Sequence, residues 1–158
     1  MRHAVHFIVV FCCALGLCAA TSPAQAGPKE DCERGASLRV TLSDGDVIRL
    51  HVSDQLADVI IRGCSQVIRR DRKAGWAYLA RGAMYYGKGE YQRAIADYSK
   101  SIEIDQSADT YYERASIYHS KGDFERAIAD YSKVIRLAPD RWSPLSLRGD
   151  IYQAKGGP

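Results

Sequence analysis

Three sets of residues in this 158-residue chain have types and spacings that chemistry can use. Cys32 and Cys64 are a pair able to form a disulfide or a redox couple. His119 lies close to Asp109 and Glu113, the types needed for acid and base work. Arg81, Arg114 and Arg148 recur along the chain, and Asp97 and Asp130 recur in step with them. An arginine ladder can hold an acidic partner. Recurrence with the aspartates favours pairing between adjacent helices, and a partly exposed pair of this kind contributes under about 1 kcal/mol.

None of these sets completes a catalytic site. No serine or cysteine nucleophile with an oriented base accompanies His119, and neither a phosphate-cradling glycine loop nor an H-E-x-x-H helix occurs. A tetrahedral zinc site needs four ligands, and only His51 and His119 stand beside the two cysteines. The expectation is a non-enzymatic protein with no cofactor and no metal.

The first residues bear on the cysteines. Met1-Arg2-His3, an apolar run from Phe7 to Ala20 and the small residues around Ala24-Gln25-Ala26 have the layout of a secretory signal peptide. An apolar run of that length is too short to cross a hydrocarbon core about 30 Å thick. A lipid anchor on Cys18 is the lesser alternative, since Leu17 sits where a small residue is wanted. Cleavage after Ala26 predicts an exported, periplasmic chain with no stable membrane span, from which Cys12, Cys13 and Cys18 are gone. Two cysteines in an exported chain read most simply as one disulfide. Closing a loop of about 30 residues, it is worth roughly 3 to 4 kcal/mol in the chain-entropy model. A redox pair is the alternative, without the close C-x-x-C spacing.

Removing residues 1–26 takes away one arginine and changes the formal charge from +3 to +2. Basic and acidic residues are interspersed except at Arg69, Arg70, Arg72 and Lys73, which read as a solvated helix end rather than a nucleic-acid face. No nucleic-acid partner is expected.

The elements that must position these groups are organised by a duplication. KGEYQRAIADYSKSI from Lys88 to Ile102 returns as KGDFERAIADYSKVI from Lys121 to Ile135, with 11 of 15 positions identical and a shift of 33. Such a period means stacked supersecondary units. The pattern predicts helices over about Gly75 to Lys88 and Tyr91 to Ile104, then Asp109 to Lys121 and Phe124 to Leu137, with Gly89 and Gly122 turning each pair. Ser53 is the predicted cap of a helix from Asp54 to Arg70, whose Ile60, Ile61, Cys64 and Ile68 align with Ala94, Ile95, Tyr98 and Ile102 at a shift of 34. Ser143-Pro144 starts a last helix running to about Lys155. Before the helices, Leu38 to Leu42 and Val47 to Val52 read as a hairpin. A three-residue loop Ser43-Asp44-Gly45 pairs Val40 with Ile48 and Leu38 with Leu50, and the hairpin should lie against the helices that follow. Gly27 to Ala36 has no clear periodicity and reads as irregular.

RGAMYYGKG from Arg81, RASIYHSKG from Arg114 and RGDIYQAKG from Arg148, joined to the duplicated halves, resemble the tetratricopeptide repeat. Gly82, Ala115 and Gly149, Tyr85, Tyr118 and Tyr152, Ala94 and Ala127, Tyr91 and Phe124, Tyr98 and Tyr131 and Pro139 carry the resemblance, and Tyr85, Tyr91, Tyr98 and their counterparts are expected to fill the space between units. The first unit departs from it at Gln106, where the closing proline is usual. The resemblance implies a mainly α fold, an α-solenoid of stacked antiparallel helix pairs, here with a short β-hairpin near the N-terminus. The divisions are a signal peptide (1–26), an N-terminal segment (27–53), a half repeat (54–70), two repeats (75–107 and 108–141) and a partial repeat (142–158).

In the family the first helices of successive units line a concave groove for a peptide or protein. The groove positions map to Trp76, Leu79, Ala83 and Tyr86, to Tyr112, Ser116 and His119, and to Ser146, Asp150 and Gln153. The expected function is therefore protein or peptide binding in the bacterial envelope, the partner being unidentified. The alternatives are an envelope thiol or redox protein using Cys32 and Cys64, and a structural module that self-associates through its last helix.

Overall fold

The computed structural model describes residues 27–37, 39–41, 47–49, 53–140, 149 and 152. The leader expected over residues 1–26 lies outside the described residues. So does the last expected helix apart from Gly149 and Tyr152, which are helical.

The described elements are α1 (Pro28–Ser37), β1 (Arg39–Thr41), β2 (Val47–Arg49), α2 (Asp54–Arg70), α3 (Gly75–Gly87), α4 (Tyr91–Ile104), α5 (Ala108–Ser120) and α6 (Phe124–Leu137). Neighbouring helices pack in succession, most extensively as the pairs α1 with α2, α3 with α4 and α5 with α6. The architecture is thus a row of helix pairs.

Local chemistry explains where the helices begin and turn. The Ser53 side chain accepts a hydrogen bond from the Leu56 N–H at the start of α2, occupying one of the donors that no helical carbonyl can reach. Gly89 and Gly122, both at φ of 75°, turn α3 into α4 and α5 into α6. A side chain is strained at that angle.

Residues 28–37 correct the sequence reading, which expected an irregular segment. They form α1, in which Glu30 and Asp31 lie in the first turn and Arg34 in the last, each sign facing the favourable end of the helix dipole. Only Cys32 and Gly35 of this helix are buried. Neither contributes to an apolar stripe, so periodicity had nothing to register. β1 and β2 pair antiparallel with Val40 opposite Ile48. The loop between them lies outside the described residues, and β1 packs on the preceding α1.

Three buried clusters run through the array: one around Cys32, Ile60, Cys64, Tyr78 and Met84, one around Tyr85, Ala94, Tyr98 and Ile117, and one around Tyr111, Ala115, Ala127, Tyr131 and Val134. Tyr98 is 0% exposed. A Cβ placed on Gly82 would lie 2.8 Å from the Tyr98 ring, so the small residue is what lets the ring fit between α3 and α4. Tyr91 and Phe124, expected to fill the space between units, instead sit on an exposed edge at the starts of α4 and α6. Truncation of the enclosed ring, Tyr98→Ala, should cost about 3 to 5 kcal/mol in urea unfolding. Tyr91→Ala should cost well under half of that.

Candidate functional site

The recurrent arginines are the best-defined polar constellation. Arg81 of α3 donates from Nε and Nη2 to the two oxygens of Asp97 on α4, both at 2.8 Å. Its third nitrogen, Nη1, donates to Ser65 Oγ of the preceding α2 at 3.0 Å. Arg114 repeats the arrangement one unit later, with Asp130 at 2.8 and 2.9 Å and Ser99 Oγ at 2.8 Å. Each serine is in turn fixed, since Ser65 and Ser99 donate to the carbonyls of Ile61 and Ile95 at 2.7 Å. Tyrosine rings flank both guanidinium groups, Tyr78 and Tyr85 at 5.7 and 6.0 Å from Arg81 and Tyr111 and Tyr118 at 5.9 Å from Arg114. These separations fall at the outer limit of a cation–π contact.

Arg81 and Arg114 are therefore fasteners within and between units, with no free fork to offer an acidic ligand, while Arg148 lies outside the described residues. The expected magnitude is corrected as well. The Arg114 and Asp130 side chains are only 18% and 8% exposed, and two parallel charge-assisted bonds in such surroundings exceed a surface pair. Hydrogen bonding to its aspartate, the leading cause, raises each guanidinium pKa against the opposing effect of desolvation. A second tie between helices joins Lys88 Nζ to Asp58 Oδ1 at 2.6 Å. It lowers the Asp58 pKa and raises that of Lys88. The tie is complete at neutral pH, is lost as pH falls through the depressed carboxylate value and, at the alkaline end, as pH rises through the raised ammonium value.

The expected groove residues share the first helices of the two units. Trp76 is 39% exposed. Leu79, Ala83 and Tyr86 of α3 and Tyr112, Ser116 and His119 of α5 are half-buried. Leu79 and Tyr86 lie against the cluster containing Tyr85 and Tyr98, Ala83 against the one containing Ile60, and Tyr112 against the one containing Tyr111. Tyr86 meets the Tyr91 ring edge-on at 5.6 Å. His119, one period later, tilts toward Phe124 at 5.8 Å and also faces Tyr131 at 6.4 Å. Ser116 Oγ donates to its own helix, at the Tyr112 carbonyl. Ser146, Asp150 and Gln153 lie outside the described residues. Among the described residues no three histidine, cysteine, aspartate or glutamate side chains converge as metal ligands, and no helix is long and apolar enough to cross a membrane.

Residues 75–107 and 108–141 each match the family model of the tetratricopeptide repeat. These two helix pairs are similar to tetratricopeptide repeats. Such repeats commonly mediate protein–protein interactions. No curated protein matches the sequence. The two repeats take in α3 to α6, the helices that carry both arginine clasps and all the described groove positions. Sequence reading passed over Ser65 and Ser99, which receive the arginines. The signal was present, since Ser65, Ser99 and Ser132 recur at shifts of 34 and 33, but a serine on a helix has no evident role until its neighbour is placed.

The clasp predicts an order of effects. Asp130→Asn leaves an enclosed guanidinium half-satisfied and should cost about 2 to 3 kcal/mol, below the loss for a wholly buried pair because solvent reaches the arginine. Ser99→Ala should cost about 1 kcal/mol. Urea unfolding monitored by circular dichroism measures both.

Proposed function

We propose that this protein is a non-enzymatic adaptor of the bacterial envelope that binds a peptide or protein segment along the first helices of its tetratricopeptide repeats. The observation that carries the reading is the exposure of Trp76 beside half-buried Leu79, Ala83 and Tyr86. An indole left 39% exposed retains much apolar surface that a ligand can cover, and anchored aromatics dominate interface energetics. Tyr86 leans on Tyr91, which preorganises it and reduces the entropy lost on binding. Farther along, Tyr112, Ser116 and His119 supply an amphipathic surface suited to a ligand with mixed side chains. The signal-peptide layout of residues 1–26 supports the location, and an oxidising compartment suits Cys32 and Cys64, whose Cα atoms are 4.6 Å apart and whose sulfurs meet between α1 and α2. Full burial of both cysteines favours a structural disulfide over an accessible redox couple.

A phage-displayed peptide library selected on the purified protein tests the surface. Selected peptides should bind Trp76→Ala or Tyr86→Ala at least about tenfold more weakly by calorimetry. Arg93→Ala and Lys133→Ala, on exposed positions of the second helices, should leave affinity within about twofold. Equal binding to all four variants would move the site elsewhere.

A further inference from the structure

We infer that α1 is a redox-released cap, held on the array by the Cys32–Cys64 bond and freed by reduction while the two repeats stay folded. The inference rests on the disulfide reading above.

Helix α1, PKEDCERGAS, has ten residues and no large apolar side chain. A helix this short is marginal by itself in water, so docking must hold it. Its buried residues are Cys32 and Gly35 alone. Against α2 the fit is close: a Cβ on Gly35 would lie 2.4 Å from Ile60 Cγ2, and one on Gly63 would lie 2.7 Å from the Pro28 carbonyl oxygen; α1 also packs on α3. Such a fit is specific, but α1 has no large apolar side chain of its own to add to it. The ion pairs of α1, Lys29 with Glu33 and Arg34 with Asp31, are internal to the helix and largely exposed, and contribute little.

The repeats are fastened differently at the same positions. Shifts of 34 and 67 place Gly63 on Asp97 and Asp130, and Cys64 on Tyr98 and Tyr131. Where later units have an arginine clasp and a buried ring, this unit has a glycine and a covalent bond. The connections differ as well, since residues 38–53 separate α1 from α2, whereas three residues join α3 to α4 and α5 to α6. Without the bond, closing α1 onto α2 costs more chain entropy than closing the three-residue turns of the later pairs.

Reduction proceeds by thiol–disulfide exchange. A thiolate of a dithiol reductant attacks one sulfur, the Cys32–Cys64 bond breaks, and a mixed disulfide forms. The second thiol of the reductant displaces it, so the reductant leaves as a cyclic disulfide and its two electrons and two protons yield two cysteine thiols. Because both cysteines are 0% exposed, attack awaits a local opening of α1. Release uncovers Ile60, Gly63 and Cys64 on α2.

Hydrogen exchange read by mass spectrometry tests this on the purified full chain in oxidised form, after dithiothreitol, and as Cys32→Ser. In the last two samples residues 28–37 should exchange at least about a hundredfold faster, the scale of the lost loop constraint. Residues 75–104 and 108–137 should keep their protection. Undiminished protection of α1, a bond that survives dithiothreitol without denaturant, or loosening of the repeats in step with α1 would each overturn the cap. Two free thiols in the oxidised sample would instead overturn the disulfide itself.

Discussion

A bidentate arginine–aspartate clasp, extended to a serine of the preceding unit, is the interaction on which the array depends. Its geometry couples three helices at once. Arg81 is hydrogen-bonded to Asp97 within its unit and to Ser65 in the unit before, and Arg114 bonds Asp130 and Ser99 in the same manner. The guanidinium plane has donors on two edges, so one side chain can satisfy a carboxylate and a hydroxyl in different directions. A lysine has no such fork. The clasp therefore sets the spacing within a pair and the register between pairs, which a purely apolar contact would leave softer.

Packing around the clasp follows from residue size. Gly82 admits the Tyr98 ring, and fully buried Ala115 is the small residue at the same position of the next unit. Bringing a large ring against a small residue across each pair keeps the helices close and the interior filled. The opening unit solves the same problem in reverse. Cys64 takes the ring position and Ile60 the position of Ala94, with Gly35 of α1 receiving the isoleucine. That α2 behaves as the second helix of a unit is visible in Ser65, which receives Arg81 as Ser99 receives Arg114.

Once these structural duties are assigned, a division of labour follows. The near-identical stretches from Lys88 and Lys121 are absorbed by turns, small-residue contacts and aspartate clasps. Residues that differ between the units, Trp76 against Asp109, Leu79 against Tyr112, Ala83 against Ser116 and Tyr86 against His119, lie on the first helices and retain exposed surface. Variation there costs the scaffold little, so ligand preference can change without loss of the fold.

The helix pairs were legible in sequence because their cause is local and periodic: recurring glycines at the turns, a small residue opposite a ring, and apolar spacing of 3.6 residues. The arginine–aspartate pairing was legible for the same reason, through recurrence in step. The strength of those pairs was not, because enclosure by Tyr78, Tyr85, Tyr111 and Tyr118 belongs to the assembled array. Helix α1 was hidden for a related reason. Its buried positions are a cysteine and a glycine, so no apolar period betrays it. Sequence by itself determined the repeat, its turns and the residues that alternate between units. Tertiary structure decided which arginine reaches which serine, how deeply each ion pair lies and that Tyr91 and Phe124 stand at an edge, because these depend on distances between residues far apart in the chain.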